Sequence, residues 1–214
     1  MEKTETLAVS MTKFSHVMES FITIVRRYQD QPEFTHRLYE GQLEDVIEDV
    51  VSGRADIGIF HFDSQRHEEI QVMAAAKGLT YRFLSYVEPQ IVISKDHPLV
   101  REKKPMTREN LANYGFIRYM GLYDDILGLM RRYHLTPVIT QEVGEAMTII
   151  GLVSAGLGVS ILPASFKRVQ LNEMRWVPIA EEDAVSEMWL VWPKHHEQSP
   201  AARNFRIHLL NALR

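Results

Sequence analysis

Hydroxyl-bearing residues follow the first apolar run that the sequence predicts as a β-strand. The run Leu7 to Val9 leads into the segment SMTKF, and an amphipathic helix follows. Hydroxyl groups and the free N–H groups at a helix start can hold a carboxylate or another small anion. Ligands collect beyond the carboxyl ends of strands in open parallel sheets, so we expect a ligand here. The residues concerned are Ser10, Thr12, Lys13 and Phe14.

A histidine follows a second predicted strand. His61 comes directly after the run Ala55 to Phe60 (ADIGIF). By the same strand-end rule it is a candidate ligand contact. A surface or packing histidine remains the alternative, because the neighbouring Phe62 can bury the ring.

Three further loops begin where a predicted strand ends or a predicted helix begins. Each of them also fits an ordinary capped turn. Together with the first loop they give four, two from each half of the chain, and we expect them to face one cleft. Their candidate contacts are Leu43 after Glu40-Gly41-Gln42, Tyr119 and Met120 at the end of the strand Gly115 to Tyr119, and Val143 and Gly144 before a helix.

Residue patterns for catalysis, metals or cofactors are not recognisable. The chain has no cysteine, and it lacks the Walker A, H-E-x-x-H and G-x-S-x-G motifs. The pair His195-His196 and the run His67-Glu68-Glu69 lack further ligands at metal spacing, and we interpret both as solvated turns. We therefore predict no catalytic residue, no metal site and no cofactor.

The elements that must position these residues alternate between strand and helix. Apolar residues at helical spacing run from Phe14 to Tyr28 and from Leu43 to Val51. They are interleaved with the strand-like runs Leu7 to Val9, Phe34 to Tyr39 and Ala55 to Phe60. This β-α-β-α-β order predicts an α/β fold with a parallel sheet.

The stretch GLVSAGLGVSILP, residues 151–163, repeats the pattern of VVSGRADIGIF, residues 50–60. Both contain a helix end, a glycine turn and a buried strand, and Gly156 is the expected left-handed stop. Its glycines do not complete G-x-G-x-x-G, and the order is helix before strand, which argues against a nucleotide loop. The repeat predicts two Rossmann-like α/β lobes.

Composition narrows the classes of partner. The 214 residues carry 24 Lys and Arg against 28 Asp and Glu, a net charge of -4, which gives no general basic field for nucleic acid. The apolar run Ile149 to Leu162 is shorter than the ~20 residues of a membrane helix. The segment MEKTETLAVS does not fit a secretory signal, so we expect a cytoplasmic protein with no membrane partner.

Five segments in order give the chain a likeness to a known family. The segments RLYEGQLEDVIEDVVSGRADIGIF, IVISKDHPL, ENLANYGFI, GLVSAGLGVSILP and SPAARNFRIHLL resemble the effector-binding domain of LysR-type transcriptional regulators over essentially the whole chain. The resemblance implies two lobes of the type 2 periplasmic-binding-protein kind, joined by crossing hinge strands, with a ligand cleft between the lobes.

The resemblance also implies a domain division and partners. Lobe I would comprise residues 6–87 plus 182–214, and lobe II residues 88–181. Lobe I would form a homodimer through the helix Phe14 to Tyr28 and the strand Phe34 to Tyr39, with dimer or tetramer left open for the full-length regulator. The expected partner is a small-molecule effector, a small carboxylate or related metabolite. DNA would be bound only through a helix-turn-helix domain that this sequence lacks.

Two positions depart from the family pattern. Phe14 and Leu43 stand where such domains often carry Ser or Thr against an effector carboxylate. A pocket with fewer hydroxyls favours a partly apolar effector. An extracytoplasmic solute-binding protein and an enzyme on the same lobed scaffold remain the alternatives.

Overall fold

The computed structural model describes residues 6–12, 15–31, 33–104, 108–111, 114–120, 138–164, 166, 173–178, 186–196 and 198–212. It divides into two compact units. Unit 1 comprises residues 1–86 and 187–214, and unit 2 comprises residues 87–186.

Unit 1 contains a five-stranded sheet in the order β2-β1-β3-β10-β4. Strand β1 pairs in parallel with β2 and with β3, so the carboxyl ends of these three strands lie at one edge. The elements of the unit are β1 Thr6–Thr12, α1 Ser15–Tyr28, β2 Thr35–Gly41, α2 Leu43–Val51, β3 Ile57–Asp63, α3 His67–Ala76, β4 Leu79–Val87, β10 Ser186–Pro193 and α7 Pro200–Ala212.

Helix α2 shows how sequence and packing agree in this unit. Its residues Leu43, Val46, Ile47 and Val50 recur at helical spacing, and all four are buried. They join a core with aromatic residues of β3 and β10, among them Trp189. Burial of this apolar stripe fixes α2 on the sheet and so fixes the loop that precedes it.

Helix α7 packs against α1 in the same unit. The rings of Phe21 and Phe205 meet edge to face with centroids 6.1 Å apart. The Asn204 amide donates a hydrogen bond of 2.6 Å to the Tyr28 hydroxyl. The Ser199 hydroxyl accepts from the Ala202 N–H at 3.1 Å and caps the start of α7.

Unit 2 contains the sheets β8-β5-β9 and β6-β7. Strand β5 is antiparallel to both of its neighbours, and β6 is parallel to β7. Its elements are β5 Pro89–Ser94, α4 Pro98–Arg101, α5 Arg108–Leu111, β6 Gly115–Tyr119, β7 Val138–Val143, α6 Ala146–Ser154, β8 Ser160–Pro163 and β9 Met174–Pro178.

The repeated helix, glycine and strand pattern is confirmed in both units. Gly53 follows α2 with φ of 75°, and Gly156 follows α6 with φ of 76°. Both are in the left-handed region that a side chain makes unfavourable. The strands after them, β3 and β8, are buried.

Several elements differ from the prediction. The run His67-Glu68-Glu69 opens helix α3 and is not a turn. Strands β4 and β7 were not predicted, and β3 runs on to Asp63, which places His61 within the strand. The apolar residues Ile126, Leu127, Leu129 and Met130 predict a helix from Asp124 to Tyr133, and this segment lies outside the described residues. No helix among the residues that the structure describes is long and apolar enough to cross a membrane.

Candidate functional site

Thr12 and His61 meet at the strand ends of unit 1. The Thr12 Oγ1 and the His61 Nδ1 lie 2.9 Å apart in a buried hydrogen bond. Strands β1 and β3 run in parallel register, with Val9 opposite Ile57, and this brings together two residues that are far apart in the sequence. Thr12 is 4% exposed and His61 is 5% exposed.

The pair combines two groups that can both donate and accept hydrogen bonds. The direction of the bond depends on which His61 nitrogen carries the proton. In either tautomer the hydroxyl and the imidazole orient each other, and both lie towards the carboxyl ends of parallel strands. The arrangement is suited to binding a polar ligand group.

Ser10 lies two residues before Thr12 on β1 and is hydrogen-bonded to α2. Its hydroxyl donates a hydrogen bond of 2.7 Å to Asp49 Oδ2 on α2. The other oxygen of Asp49 accepts from Arg54 at 3.0 Å, and the Arg54 guanidinium lies 4.1 Å from the centroid of the Tyr39 ring. Ser10 therefore ties β1 to α2 in this structure, and its contact with a ligand stays a prediction.

Sequence reasoning missed Asp49 in this network. The residue lies three positions after Val46 on α2 and is 8% exposed. An acidic residue so close to the apolar stripe of a helix signals a buried partner, because an isolated buried carboxylate is costly. The hydroxyl of Ser10 and the guanidinium of Arg54 supply that partner.

Leu43 lies at the start of α2, after the end of β2. Its side chain is buried and belongs to the core of unit 1. The preceding Gln42 and Asp45 form a capping box, in which the Gln42 N–H donates to Asp45 Oδ2 at 2.9 Å. A Cβ atom at Gly41 would lie 2.8 Å from Cβ of Asp45, so the close approach of this cap requires glycine. The cap turns the amino end of α2 beside the end of β2.

The predicted contacts of unit 2 lie together at the ends of β6 and β7. Tyr119 stands opposite Val143 in the strand register. Met120 follows Tyr119 and is exposed, and a Cβ atom at Gly144 would lie 3.6 Å from Cε of Met120. The structure thus brings Tyr119, Met120, Val143 and Gly144 to one place.

Helix α6 begins directly after these residues. It starts at Ala146 with Glu145 as N-cap, and the Glu145 side chain makes no capping hydrogen bond. The first N–H groups of a helix have no acceptor within the helix and carry partial positive charge. One residue before the strand ends, Arg118 pairs with Glu142. At this strand end the structure therefore combines the exposed Met120 with the backbone N–H groups at the start of α6.

The remaining predictions concern Lys13, Phe14 and the possible metal ligands. Lys13 and Phe14 lie outside the described residues. His195 and His196 are exposed in a turn, and within the described ranges no group of three or more His, Cys, Asp or Glu is arranged to hold a metal ion.

The fold and these strand-end groups define a binding domain of the α/β class with two units. The chain belongs to the family described as the LysR substrate binding domain, whose model matches residues 14–214. It is thus an effector-binding domain of the LysR type and not an enzyme. This membership favours the regulator over the transport protein that the sequence left open.

A curated relative and two solved structures support the assignment. The chain is 55% identical over 210 residues to the uncharacterized HTH-type transcriptional regulator YnfL of Escherichia coli (strain K12), covering 96% of this chain and 66% of the relative. The chain therefore spans slightly less than two thirds of that regulator. The effector-binding domain of QuiR in complex with shikimate matches with a TM-score of 0.75 and 20% identity, covering 99% of this chain and 98% of QuiR.

The second structure is the BenM effector-binding domain with its effector benzoate. It matches with a TM-score of 0.76 and 18% identity, covering 97% of this chain and 91% of the BenM chain. At this level of identity the two structures show the fold and leave the ligand of this chain open. The predicted α/β fold of the LysR effector-binding class is confirmed.

Proposed function

We propose that this domain senses a small carboxylate for a bacterial LysR-type transcriptional regulator in the cytoplasm. The observation that carries the proposal is the buried Thr12–His61 pair at the strand ends of unit 1. A hydroxyl and an imidazole at a strand end are suited to a carboxylate, because in either neutral tautomer the pair can donate one hydrogen bond beyond the bond within it. The donor is the Nε2–H of His61 when the Thr12 hydroxyl donates to Nδ1, and it is the Thr12 hydroxyl when Nδ1–H donates to Thr12.

The amino end of α6 supports the same ligand class. Its N–H groups and the helix dipole favour an anion, and Glu145 leaves them uncapped by its side chain. The ligands named for two structural matches, shikimate and benzoate, are carboxylates, which agrees with this chemistry.

We propose further that the effector is partly apolar. Leu43 is buried at the amino end of α2, where a hydroxyl would have added a donor, and Met120 exposes a thioether at the end of β6. Apolar surface next to a few directed polar groups is the usual composition of a small-molecule site.

In the full-length regulator, the effector would bias the relative arrangement of its units. A ligand shifts such an equilibrium only by its difference in affinity for the two states. A helix-turn-helix domain would bind DNA, and unit 1 would form the homodimer through α1 and β2.

A thermal-shift screen of small carboxylates tests this function. Benzoate and shikimate serve as first probes, each beside its neutral amide. We expect at least one carboxylate to raise Tm with increasing concentration, because a ligand that binds only the folded state stabilises it by RT ln(1 + [L]/Kd). Absence of stabilisation by any carboxylate at millimolar concentration, or equal stabilisation by the amides, contradicts the proposal.

A further inference from the structure

Three arginines of unit 1, Arg82, Arg203 and Arg206, lie close enough for their charges to interact, and Arg206 lies on Trp192 of β10. The Arg206 guanidinium lies over the Trp192 indole, with its Cζ 4.6 Å from the ring centroid. Arg203 lies one turn earlier on α7, and Arg82 lies on β4, the edge strand beside β10. A guanidinium held flat on an indole keeps its edge and its N–H donors available to a ligand.

The positive charges of this cluster are not balanced by the described part of the chain. No described carboxylate forms an ion pair with Arg82, Arg203 or Arg206, whereas Arg54 and Arg101 each pair with an aspartate at about 3 Å. Because the whole chain carries a net charge of -4, a basic composition does not account for the cluster.

The position of the Arg206 guanidinium is unfavourable in free energy. Its Nε is buried, and none of the described residues accepts a hydrogen bond from it. Burial, and then the charges of Arg203 and Arg82, lower the pKa of the Arg206 guanidinium. An anion in contact with the exposed edges of these groups would relieve the repulsion between the guanidinium groups.

We propose that Arg82, Arg203 and Arg206 around Trp192 form a second binding site for a small polyanion, a molecule that bears phosphate groups or several carboxylates. Guanidinium groups recognise phosphate and carboxylate oxygens with paired hydrogen bonds, and several of them together favour a ligand with more than one negative charge. This site uses no residue of the Thr12–His61 pair, so it does not depend on the function proposed above.

Titration with pyrophosphate, citrate and, as a singly charged control, acetate tests this site. Binding is followed by calorimetry and by the fluorescence of Trp192 in a variant whose other tryptophans, Trp176 and Trp189, are replaced by Phe. We expect pyrophosphate or citrate to change the Trp192 fluorescence in a saturable way that weakens at high salt, and acetate to leave that fluorescence unchanged.

Charge-removing variants locate the binding. Arg206→Gln and Arg82→Gln should each raise the Kd about tenfold or more, since each removes a charged donor. Arg82 is exposed on an edge strand, so its variant also keeps the test valid if Arg206→Gln fails to fold. Arg175→Gln removes one exposed charge from β9 of unit 2 and should leave the Kd unchanged, as should Thr12→Ala.

Three results would overturn the second site. One is no saturable binding of either polyanion to the wild-type domain. Another is an equal loss of affinity in the Arg175→Gln and Arg206→Gln variants, which would indicate general charge attraction. The third is binding of polyglutamate without binding of pyrophosphate or citrate, which would make the cluster a surface for an acidic protein.

Discussion

Thr12 and His61 are buried polar side chains that form a hydrogen bond with each other. Either of them alone would lose hydrogen bonds to water on folding, and the 2.9 Å contact between them offsets that loss. Ser10 is two residues before Thr12, yet its hydroxyl bonds to Asp49 and not to a residue at the strand ends. Two hydroxyls that look equivalent in the sequence thus have different surroundings.

This difference predicts that two alanine substitutions affect stability and effector affinity to different extents. Thr12→Ala should weaken effector binding about tenfold and lower the free energy of unfolding by about 1 kcal/mol, the usual value of a neutral hydrogen bond. Ser10→Ala should lower the free energy of unfolding by about 1.5 to 3 kcal/mol, because it removes a bond to a charged group, and leave effector affinity nearly unchanged. Urea unfolding and calorimetric titration measure the two quantities, and an equal loss of affinity in both variants would contradict this assignment.

The sequence supports prediction of which residues are candidates but not of how they pair. Thr12 and His61 were both predicted at strand ends because each follows an apolar run. Their contact, and that of Ser10 with Asp49, joins positions 39 or more residues apart. Such pairs depend on strand register and on the placement of α2, and one sequence does not specify either of them.

At the scale of elements, the glycines of the segment GLVSAGLGVSILP have separate roles. Gly156 takes the left-handed conformation after α6, with φ of 76°. Gly151 lies inside α6, and no atom outside its own helix backbone and chain neighbours lies within 4 Å of the position its Cβ would take. The first therefore serves backbone geometry, whereas the second has no steric reason to be glycine.

Substitution of these two glycines should change stability in opposite directions. Gly156→Val should destabilise unit 2 by about 1 to 2 kcal/mol or more, because a β-branched residue is strained at positive φ. Gly151→Ala should stabilise it by about 0.5 to 1 kcal/mol through higher helix propensity. Thermal unfolding compares both variants with the wild type. Stabilisation by Gly156→Val would contradict the conclusion that the positive φ at this position requires glycine.

Helix α1 and strand β2 are the elements through which we propose that unit 1 forms a homodimer. Strand β2 is the last strand at its edge of the sheet, and Ile22 exposes 42% of its surface on α1. An exposed edge strand beside an exposed apolar residue is a surface suited to pairing with another chain.

A charge at this surface should break the dimer. Ile22→Asp should convert the dimer into a monomer, as measured by light scattering after gel filtration, because burial of an unpaired carboxylate at an interface is costly. Val72→Asp is the control, since Val72 is also apolar and exposed but lies on α3. Dissociation by Val72→Asp, or a dimer that survives Ile22→Asp, would place the interface elsewhere.

Helices and strands whose apolar residues recur at a regular spacing, or form one buried run, could be predicted from the sequence. Strands in which apolar and polar residues follow no regular order could not. Helix α2 and strand β6 match the prediction, because their apolar residues follow one pattern. Strand β4 contains the run Tyr81-Arg82-Phe83 with no regular alternation, since Arg82 and Phe83 are both exposed. Strand β7 shows mainly exposed residues and was missed for the same reason.

At the scale of the whole molecule, the chain combines two units that repeat one α/β pattern. Each unit brings its predicted contacts to the carboxyl ends of parallel strands, Thr12 with His61 in unit 1 and Tyr119 with Val143 in unit 2. The three arginines around Trp192 lie apart from these residues in the sequence and offer a separate anion site.

Calorimetric titration of one carboxylate and its neutral amide against the wild-type domain and Thr12→Val tests the central claim most directly. The Thr12→Val variant keeps the shape of the side chain and removes only the hydroxyl. We predict that the carboxylate binds the wild type with a Kd at least about tenfold below that of the amide, and that Thr12→Val reduces this preference. Equal affinity for carboxylate and amide, or an unchanged preference in Thr12→Val, would contradict a carboxylate sensor built on the Thr12–His61 pair.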